Sequence, residues 1–466
     1  MHQFYRFSAL ALVGVLTGCA SYRPAPLVPG EELAKLRAVN VEDFVIKRDN
    51  QSGALTPSDD RFDLADGLSE AEVVAIALAL NSDLKAKRLE VGETEALLIG
   101  AKLWPNPVVG LGIRPGIDGA SGYVLETDVL FELLRFGERD AREKASQAAV
   151  GAVRANIIAD EFRLVGEVRS QLLQVYTAER VVAILQEAVD LRQRAFDLVQ
   201  RQRELGEATT LAVAATELER TEAARELRQA KVELSTELRD LNRLMGLPPD
   251  YQPKLSELGQ PLTVEMFEDV SDTNLDALIL AGRPELRAKE AEYARVEQEL
   301  RLAVLKQYPR LGIGPSFERE LGGDKSLGLS LSLQLPLFYR NQGEITEKRA
   351  TRDKARAEYG ALLHRLRAEA YEARAAVRTA KAEVDAQDKE ILPLLRRNQE
   401  LFEGAYRARE INIIDWITAQ QRAVIARREY LDAVVKYRQS LIELETASGR
   451  ELPAVATTTP STRSSH

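Results

Sequence analysis

A single cysteine stands in the 466 residues, at position 19, so the chain cannot hold an internal disulfide. Histidine is nearly as scarce: His2 lies near the N-terminus, His364 in a helical stretch, and His466 is the last residue. With three methionines beside that one cysteine there is no cluster for a soft metal. Nor is there a Ser/His/Asp or Cys/His grouping that would activate a nucleophile, and no glycine-rich loop leads into a helix as a phosphate cradle does. No catalytic residue, cofactor site or metal ligand is expected, and the chain does not read as an enzyme. Positive charge is short as well. The 63 Lys and Arg against 72 Asp and Glu leave a net charge of −9, which argues against nucleic acid as a partner. Beyond the N-terminus no apolar run approaches twenty residues, so any passage through a membrane must use strands.

The N-terminus reads as an export signal over 1–18. Arg6 supplies the positive charge and Phe7 to Leu16 an apolar run of about ten residues. Removing it takes away one charged side chain, Arg6, and moves the net charge from −9 to −10. The signal ends in Leu16-Thr17-Gly18-Cys19, which resembles the bacterial lipobox. That resemblance implies lipidation of Cys19 as the new first residue, with no aspartate after it to retain the protein at the inner membrane. Two acyl chains suffice for firm anchoring where one does not. Residues 19–67 carry Pro24, Pro26, Pro29 and Pro57 with few periodic apolar positions, and suggest an extended segment.

The remainder repeats itself. Ala79-Leu80-Asn81-Ser82-Asp83-Leu84-Lys85-Ala86 matches Ala281-Gly282-Arg283-Pro284-Glu285-Leu286-Arg287-Ala288 at an offset of 202. The same offset carries Pro107-Val108-Val109-Gly110-Leu111-Gly112 onto Pro309-Arg310-Leu311-Gly312-Ile313-Gly314. This suggests duplication of one unit, at 68–246 and 273–449. In each half a helix (about 68–104, then 273–307) leads to a β-hairpin (108–131, then 310–337) and on to a helical hairpin. The linker 247–272 is broken by four prolines, and the Thr/Ser-rich tail 450–466 is expected to be disordered.

The hairpins alternate strictly. Leu327, Leu329, Leu331, Leu333, Leu335 and Leu337 take every odd position, separated by Gly328, Ser330, Ser332, Gln334 and Pro336. Residues 109–114, 123–131 and 311–318 show the same contrast. An apolar face opposite Glu126, Asp128 and Glu318 suits lipid outside and a watery barrel interior. Trp104, Phe136, Tyr308, Phe338 and Tyr339 cluster at the strand bases, where interfacial aromatics belong. Four strands cannot close alone, since an open edge in lipid leaves backbone groups unsatisfied. A dimer would give eight strands and a filled barrel, a trimer twelve and an open pore.

The helical stretches are long. Residues 138–204 would span roughly 100 Å at 1.5 Å per residue, and shorter helices at 68–104 and 208–245 could lie end to end beside them. Three–four spacing of Val165, Val168, Leu172 and Val175, and of Leu227, Ala230, Leu234, Leu238, Leu241 and Met245, supports lateral packing. The breaks fall near Leu205-Gly206-Glu207 and Arg409-Glu410-Ile411-Asn412.

Taken together, the lipobox, the duplicated halves and four strands per chain resemble the TolC-like outer-membrane factor family, lipoprotein type. Leu335-Pro336-Leu337-Phe338-Tyr339-Arg340-Asn341-Gln342-Gly343-Glu344 is similar to the strand-to-helix junction of its cation-efflux (cobalt–zinc–cadmium type) branch. Asn81-Ser82-Asp83-Leu84 and Arg283-Pro284-Glu285-Leu286 resemble its helix motif. The resemblance implies a mainly α fold with a small β part: long antiparallel coiled-coil helices, with four transmembrane strands per protomer completing a twelve-stranded barrel in a trimer. It further implies an outer-membrane location, a tunnel reaching into the periplasm, and passive export of metal cations or drugs. The partners it implies are the other copies of a homotrimer, outer-membrane lipid, a periplasmic adaptor (membrane fusion) protein and an inner-membrane pump, usually proton-driven. Asp415, in Ile413-Ile414-Asp415-Trp416-Ile417, matches a carboxylate position at the family's closed tunnel tip, and Arg407 and Arg409 nearby would hold the closed state by ion pairs. Equally, Asp415 could be an ordinary solvated carboxylate near a helix start. The competing reading of the whole chain is a lipid-anchored periplasmic coiled-coil scaffold that conducts nothing.

Overall fold

The computed structural model describes residues 22–39, 67–115, 123–256, 272–320 and 325–449. They divide between two compact units, Met1–Val41 and Glu42–His466. Cys19, the signal segment and the tail 450–466 lie outside the described residues. In the first unit, the stretch expected to be extended carries a helix, α1 (Pro29–Arg37). Pro29 sits in its first turn, where the missing N–H has no helical partner to lose, with Glu31 and Glu32 near the positive end and Lys35 and Arg37 near the negative one.

The second unit runs through one element order twice. The first pass is α2 (Glu70–Leu80), α3 (Ser82–Lys102), β1 (Val108–Pro115), β2 (Tyr123–Leu133), α4 (Glu138–Glu204) and α5 (Thr210–Met245). The second is α6 (Asp272–Gly282), α7 (Pro284–Leu305), β3 (Arg310–Glu320), β4 (Lys325–Gln334), α8 (Gln342–Ala386), α9 (Leu392–Arg407) and α10 (Ile413–Ser448).

The opening helix of each half, expected to be continuous, is broken at Asn81 and at Arg283. Asn81 is an N-cap: its side-chain oxygen accepts from the Leu84 N–H at 3.0 Å, and its amide donates to the Leu244 carbonyl at 2.9 Å. Arg283 precedes Pro284, which cannot continue the preceding helix, and its Nη1 donates to the Thr446 carbonyl at 2.6 Å. Both ends of this contact are displaced by 202 residues between the halves. Gly246 and Gly449 end α5 and α10 at φ of +73° and +69°. A Cβ on Gly246 would lie 2.3 Å from the Leu80 carbonyl oxygen, and one on Gly449 2.4 Å from the Gly282 carbonyl carbon. The chain entering the break and the chain leaving the closing helix therefore touch backbone to backbone. Beside the first break, a capping box at Ser69 and Glu72 starts α2, and Leu68 pairs with Leu255 of the linker in a parallel bridge.

Two shorter helices lie end to end along α4. α3 covers its N-terminal part through Lys87–Asp160 (2.5 Å), Arg88–Glu161 (2.6 Å) and Glu95–Arg154 (2.6 Å). α5 covers the rest, with Gln171 on Glu237 at 2.7 Å and Leu185 packed on Leu227 and Ala230. Val168, Leu172, Val175, Leu241 and Met245 are buried at the spacing expected of a seam. In the second half, Leu362, Leu366, Ala370, Ala373, Val377 and Ala380 of α8 pack with Tyr437, Leu441 and Leu444 of α10. The halves meet along α4, on which both α7 and α10 of the second half lie. Gly166 lets Thr446 approach closely, and the buried Arg169 pairs with Glu445 at 2.9 Å and with Glu70 of α2. Between α8 and α9 a π turn, Gln387–Ile391, precedes Pro393 and absorbs the helical hydrogen bond that proline cannot make.

The four strands form one antiparallel sheet in the order β1-β2-β3-β4. β4 stops at Gln334, short of the expected 337, because Pro336 has no N–H to donate and restrains Leu335. Where sheet meets helix, Glu138 is fully buried at the start of α4. Its carboxylate takes Arg142 at 2.5 Å and Arg135 at 3.2 Å, with Arg310 at 3.8 Å. Arg135 also donates to the Tyr308 carbonyl at 2.5 Å, which joins β3 to this cluster. Burial pushes the Glu138 carboxyl up, but the Arg135 backbone N–H and the Arg142 and Arg135 guanidinium groups outweigh it and hold it below the ordinary carboxylate value.

Three outcomes are expected. Gly246→Ala should lower the thermal midpoint of the helical circular dichroism, by a loss on the order of 2 kcal/mol from the left-handed backbone and the collision with Leu80. Arg169→Ala should destabilise the protein in chemical unfolding by an amount on the order of 3 kcal/mol, because it breaks a buried ion pair that joins α4 to α10. The stability that Glu138 contributes is present above the ordinary carboxylate value and is lost as pH falls through its lower folded value. Melting curves of wild type and Glu138→Gln should therefore differ at neutral pH and converge in strong acid.

Candidate transmembrane sheet and pore-lining residues

Strand register sorts the side chains onto two faces. Gly110 faces Asp128 and Gly112 faces Glu126 across β1–β2, Asp128 faces Ser316 and Glu126 faces Glu318 across β2–β3, and Glu318 faces Ser326 across β3–β4. All three carboxylates named from the sequence thus share one face with glycines and serines. β1 leaves room for them, since a Cβ on Gly110 would run into the Asp128 carboxylate. The same face carries Arg114, paired with Glu126, and Arg310, paired with Glu132 at 3.4 Å. The alternation over 109–114 already sets Arg114 on this face, whereas Glu132 and Arg310 were missed although they have the same even parity as the residues that were found.

The opposite face is apolar and open. Val109, Leu111, Ile113, Tyr123, Leu125, Phe131, Leu133, Phe317, Leu327, Leu329, Leu331 and Leu333 are all exposed, Leu327 by 80%. In water such a face would oppose folding; in hydrocarbon it is the stable surface. Among the described residues β1 and β4 have no further strand beside them, so both edges present open backbone groups. Trp104, Tyr308, Phe338 and Tyr339, together with Phe136, are exposed at the end of the sheet that joins the helices. Arg139 stacks over Trp104 at 5.8 Å.

The other named group lies at the far end of the helices. α4 closes at Gly206 (φ +78°), and α9 closes in the same left-handed turn at Arg409 (φ +63°). Thr209 and Asn412 then cap α5 and α10, each accepting from the N–H three residues on, at 3.1 and 2.9 Å. For Asn412 that N–H belongs to Asp415, whose side chain is exposed in the first turn of α10. Beneath it Ile413 and Ile417 pack with Ala195 and Val199, and Trp416 stacks on Tyr406 at 5.6 Å. Arg407 pairs with Glu403 of its own helix at 2.5 Å. Among the described residues no ion pair within the chain joins Asp415 to Arg407 or Arg409.

Among the described residues no group of three or more His, Cys, Asp or Glu is arranged to hold a metal ion. No helix among them is long and apolar enough to cross a membrane.

Comparison with known proteins agrees with this geometry. The profile of the outer membrane efflux protein family matches residues 73–247 and again 277–450, one match for each half. The cobalt-zinc-cadmium resistance protein CzcC of Cupriavidus metallidurans is 22% identical over 423 residues, which are 87% of this chain and 96% of that one. The Campylobacter jejuni CmeC outer membrane channel superposes with a TM-score of 0.69 at 17% identity, covering 92% of this chain and 95% of that one. A membrane protein from Pseudomonas aeruginosa gives 0.68 at 21% identity, covering 83% and 92%. These likenesses establish a TolC-like fold. The chain belongs to the outer membrane efflux protein family, and it serves as a channel component for efflux at the outer membrane rather than as an enzyme.

Proposed function

We propose that three copies assemble so that their sheets close a twelve-stranded barrel, with the long helices continuing it as a tunnel through the periplasm. The observation that carries this reading is the common register of the four strands. It gives one contiguous apolar face, one face of small and charged residues, and two open edges. Hydrocarbon offers no partner for open edges, so they must meet the edges of other copies. In that barrel Glu126, Asp128 and Glu318 line the wet interior. Trp104, Tyr308, Phe338 and Tyr339 sit in the periplasmic interface of the bilayer, where aromatic rings with one wet edge are favoured. Cys19 carries the lipid anchor.

The far end of the helices is the periplasmic mouth. Asp415 there is exposed and makes no ion pair among the described residues. Three copies around one axis would form a ring of carboxylates, with Arg407 and Arg409 as the nearby cations of a closed state. The channel would be passive and would receive its cargo from a periplasmic adaptor and a proton-driven inner-membrane pump. Metal cations are the favoured cargo, on the likeness to a protein named for cobalt, zinc and cadmium resistance, and drugs are the second.

The test is planar-bilayer conductance of detergent-extracted protein, with its mass measured by light scattering. Trimeric mass and stable conductance are expected, with a larger open-state current and weaker cation preference for Asp415→Ala. A monomer that conducts nothing would leave a lipid-anchored scaffold instead.

A further inference from the structure

The apolar face of the sheet changes character at its hairpin end. Lys325 opens β4 and lies directly across from Arg319, near the end of β3. Both take odd positions, in line with Leu327 and Leu329 on one strand and Phe317 on the other, so they stand on the face that carries those side chains. Arg319 lies in turn across from Leu125 of β2. Tyr123 stands two residues before Leu125, on the same face and one step nearer the hairpin end. All three polar residues are exposed. At the offset of 202 between the halves Lys325 corresponds to Tyr123, so the basic pair is a feature of the second hairpin alone.

Like charges directly opposite on neighbouring strands repel. Among the described residues neither Arg319 nor Lys325 makes an ion pair that would relieve this. Glu318, the neighbour of Arg319, takes an even position and stands on the other face, across from Glu126. Pairing of the open edges with other copies uses backbone groups and leaves the side chains of this face pointing outward. The height of the pair is informative too. β4 holds ten residues, Lys325–Gln334. At about 3.4 Å per residue and a tilt of about 40° it rises roughly 25 Å, the height of one apolar band. Phe338 and Tyr339 follow its inner end, and the basic pair marks its outer one, where hydrocarbon gives way to head groups.

We infer that Arg319 and Lys325, with Tyr123 beside them, hold the phosphate group of a lipid in the outer leaflet. This rests on the membrane-barrel reading and adds a ligand to its lipid-facing side. A guanidinium fork matches two phosphate oxygens, and the lysine ammonium supplies a compact point charge next to it. The tyrosine hydroxyl donates one further hydrogen bond. One phosphate between the two cations turns their mutual repulsion into two attractions. Leu125, Phe317 and Leu327 continue from the pair along the same face and are exposed. A ligand that fills the whole surface must therefore carry hydrocarbon as well as phosphate, which selects a lipid over a free anion.

The test titrates the full-length, detergent-solubilised protein with diphosphorylated lipid A, with its dephosphorylated form and with inorganic phosphate. Binding is read by native mass spectrometry and by the temperature at which the assembly dissociates. The phosphorylated lipid should bind and raise that temperature, and the other two probes should do neither. Arg319→Ser with Lys325→Ser should weaken lipid binding roughly 30-fold, since each basic group beside an anionic head group contributes about fivefold. Channel conductance should stay at the parent value, because neither residue stands on the wet face. Equal lipid affinity of the double variant, or equal binding of the dephosphorylated lipid, would overturn the site while leaving the channel standing. An equal effect of inorganic phosphate would overturn the assignment to a lipid. A parent protein that is monomeric and conducts nothing would remove the barrel reading and the site with it.

Discussion

The last carbonyl groups of a helix have no donor within the helix, and in both halves of this protein one donor arrives from the residue that breaks the opening helix. Asn81 serves α5 and Arg283 serves α10. That single satisfied group fixes three things together: where the opening helix breaks, where the closing helix stops, and how the two abut. Because they abut, α3 and α5 present one continuous surface to α4, and the strands between α3 and α4 emerge at its far end. The left-handed glycines at 246 and 449 are what allow the backbones to come so close. A protein built around this contact can lengthen or shorten its helices only in matched steps.

The two halves have diverged most where their ends meet different surroundings. At the start of α4 the buried Glu138 collects three arginines and joins the second hairpin to the first half. At the corresponding start of α8, Asn341 instead bonds the Ala303 carbonyl at 2.9 Å. The first junction buries a carboxylate and the second a neutral amide, beside which Lys306 pairs with Glu344 at 2.6 Å, although the backbone takes the left-handed form at both Gly137 and Asn341. Arg169, which ties α4 to both α2 and α10, sits on the seam between the halves, where repetition imposes no counterpart.

The strands and their faces were legible in the sequence because alternation is a strictly local signal: Leu327 to Leu333 could sit no other way. The duplication was legible for the same reason, as was the seam of Val168, Leu172 and Val175. The break at Asn81 was written plainly, in a capping residue followed by Ser and Asp, but apolar periodicity on both sides hid it. The break at Arg283 was marked by Pro284 and masked likewise. Contacts such as Arg169–Glu445, 276 residues apart, leave no local trace. Of the far-end group, the sequence located Asp415 in the first turn of a helix. It gave no sign that Arg407 would be occupied by Glu403, because an i,i+4 pair competes unseen with any longer reach.

The π turn before Pro393 has an effect on phase. From Leu366 through Ala370, Ala373, Val377, Ala380 and Val384 to Ile391, Leu394 and Leu401, the sequence keeps one heptad phase, interrupted only by Gln387 and Asn398. Above the turn that ladder faces the chain's own core; below it, the same ladder faces outward. A π turn holds about one residue more than an α turn, which rotates everything beyond it by roughly 100°. A single coiled-coil pattern is thereby divided, like a screw thread re-cut partway along its shaft, so that one stripe turns from the chain's own core to an open face without any change in the rhythm of its sequence.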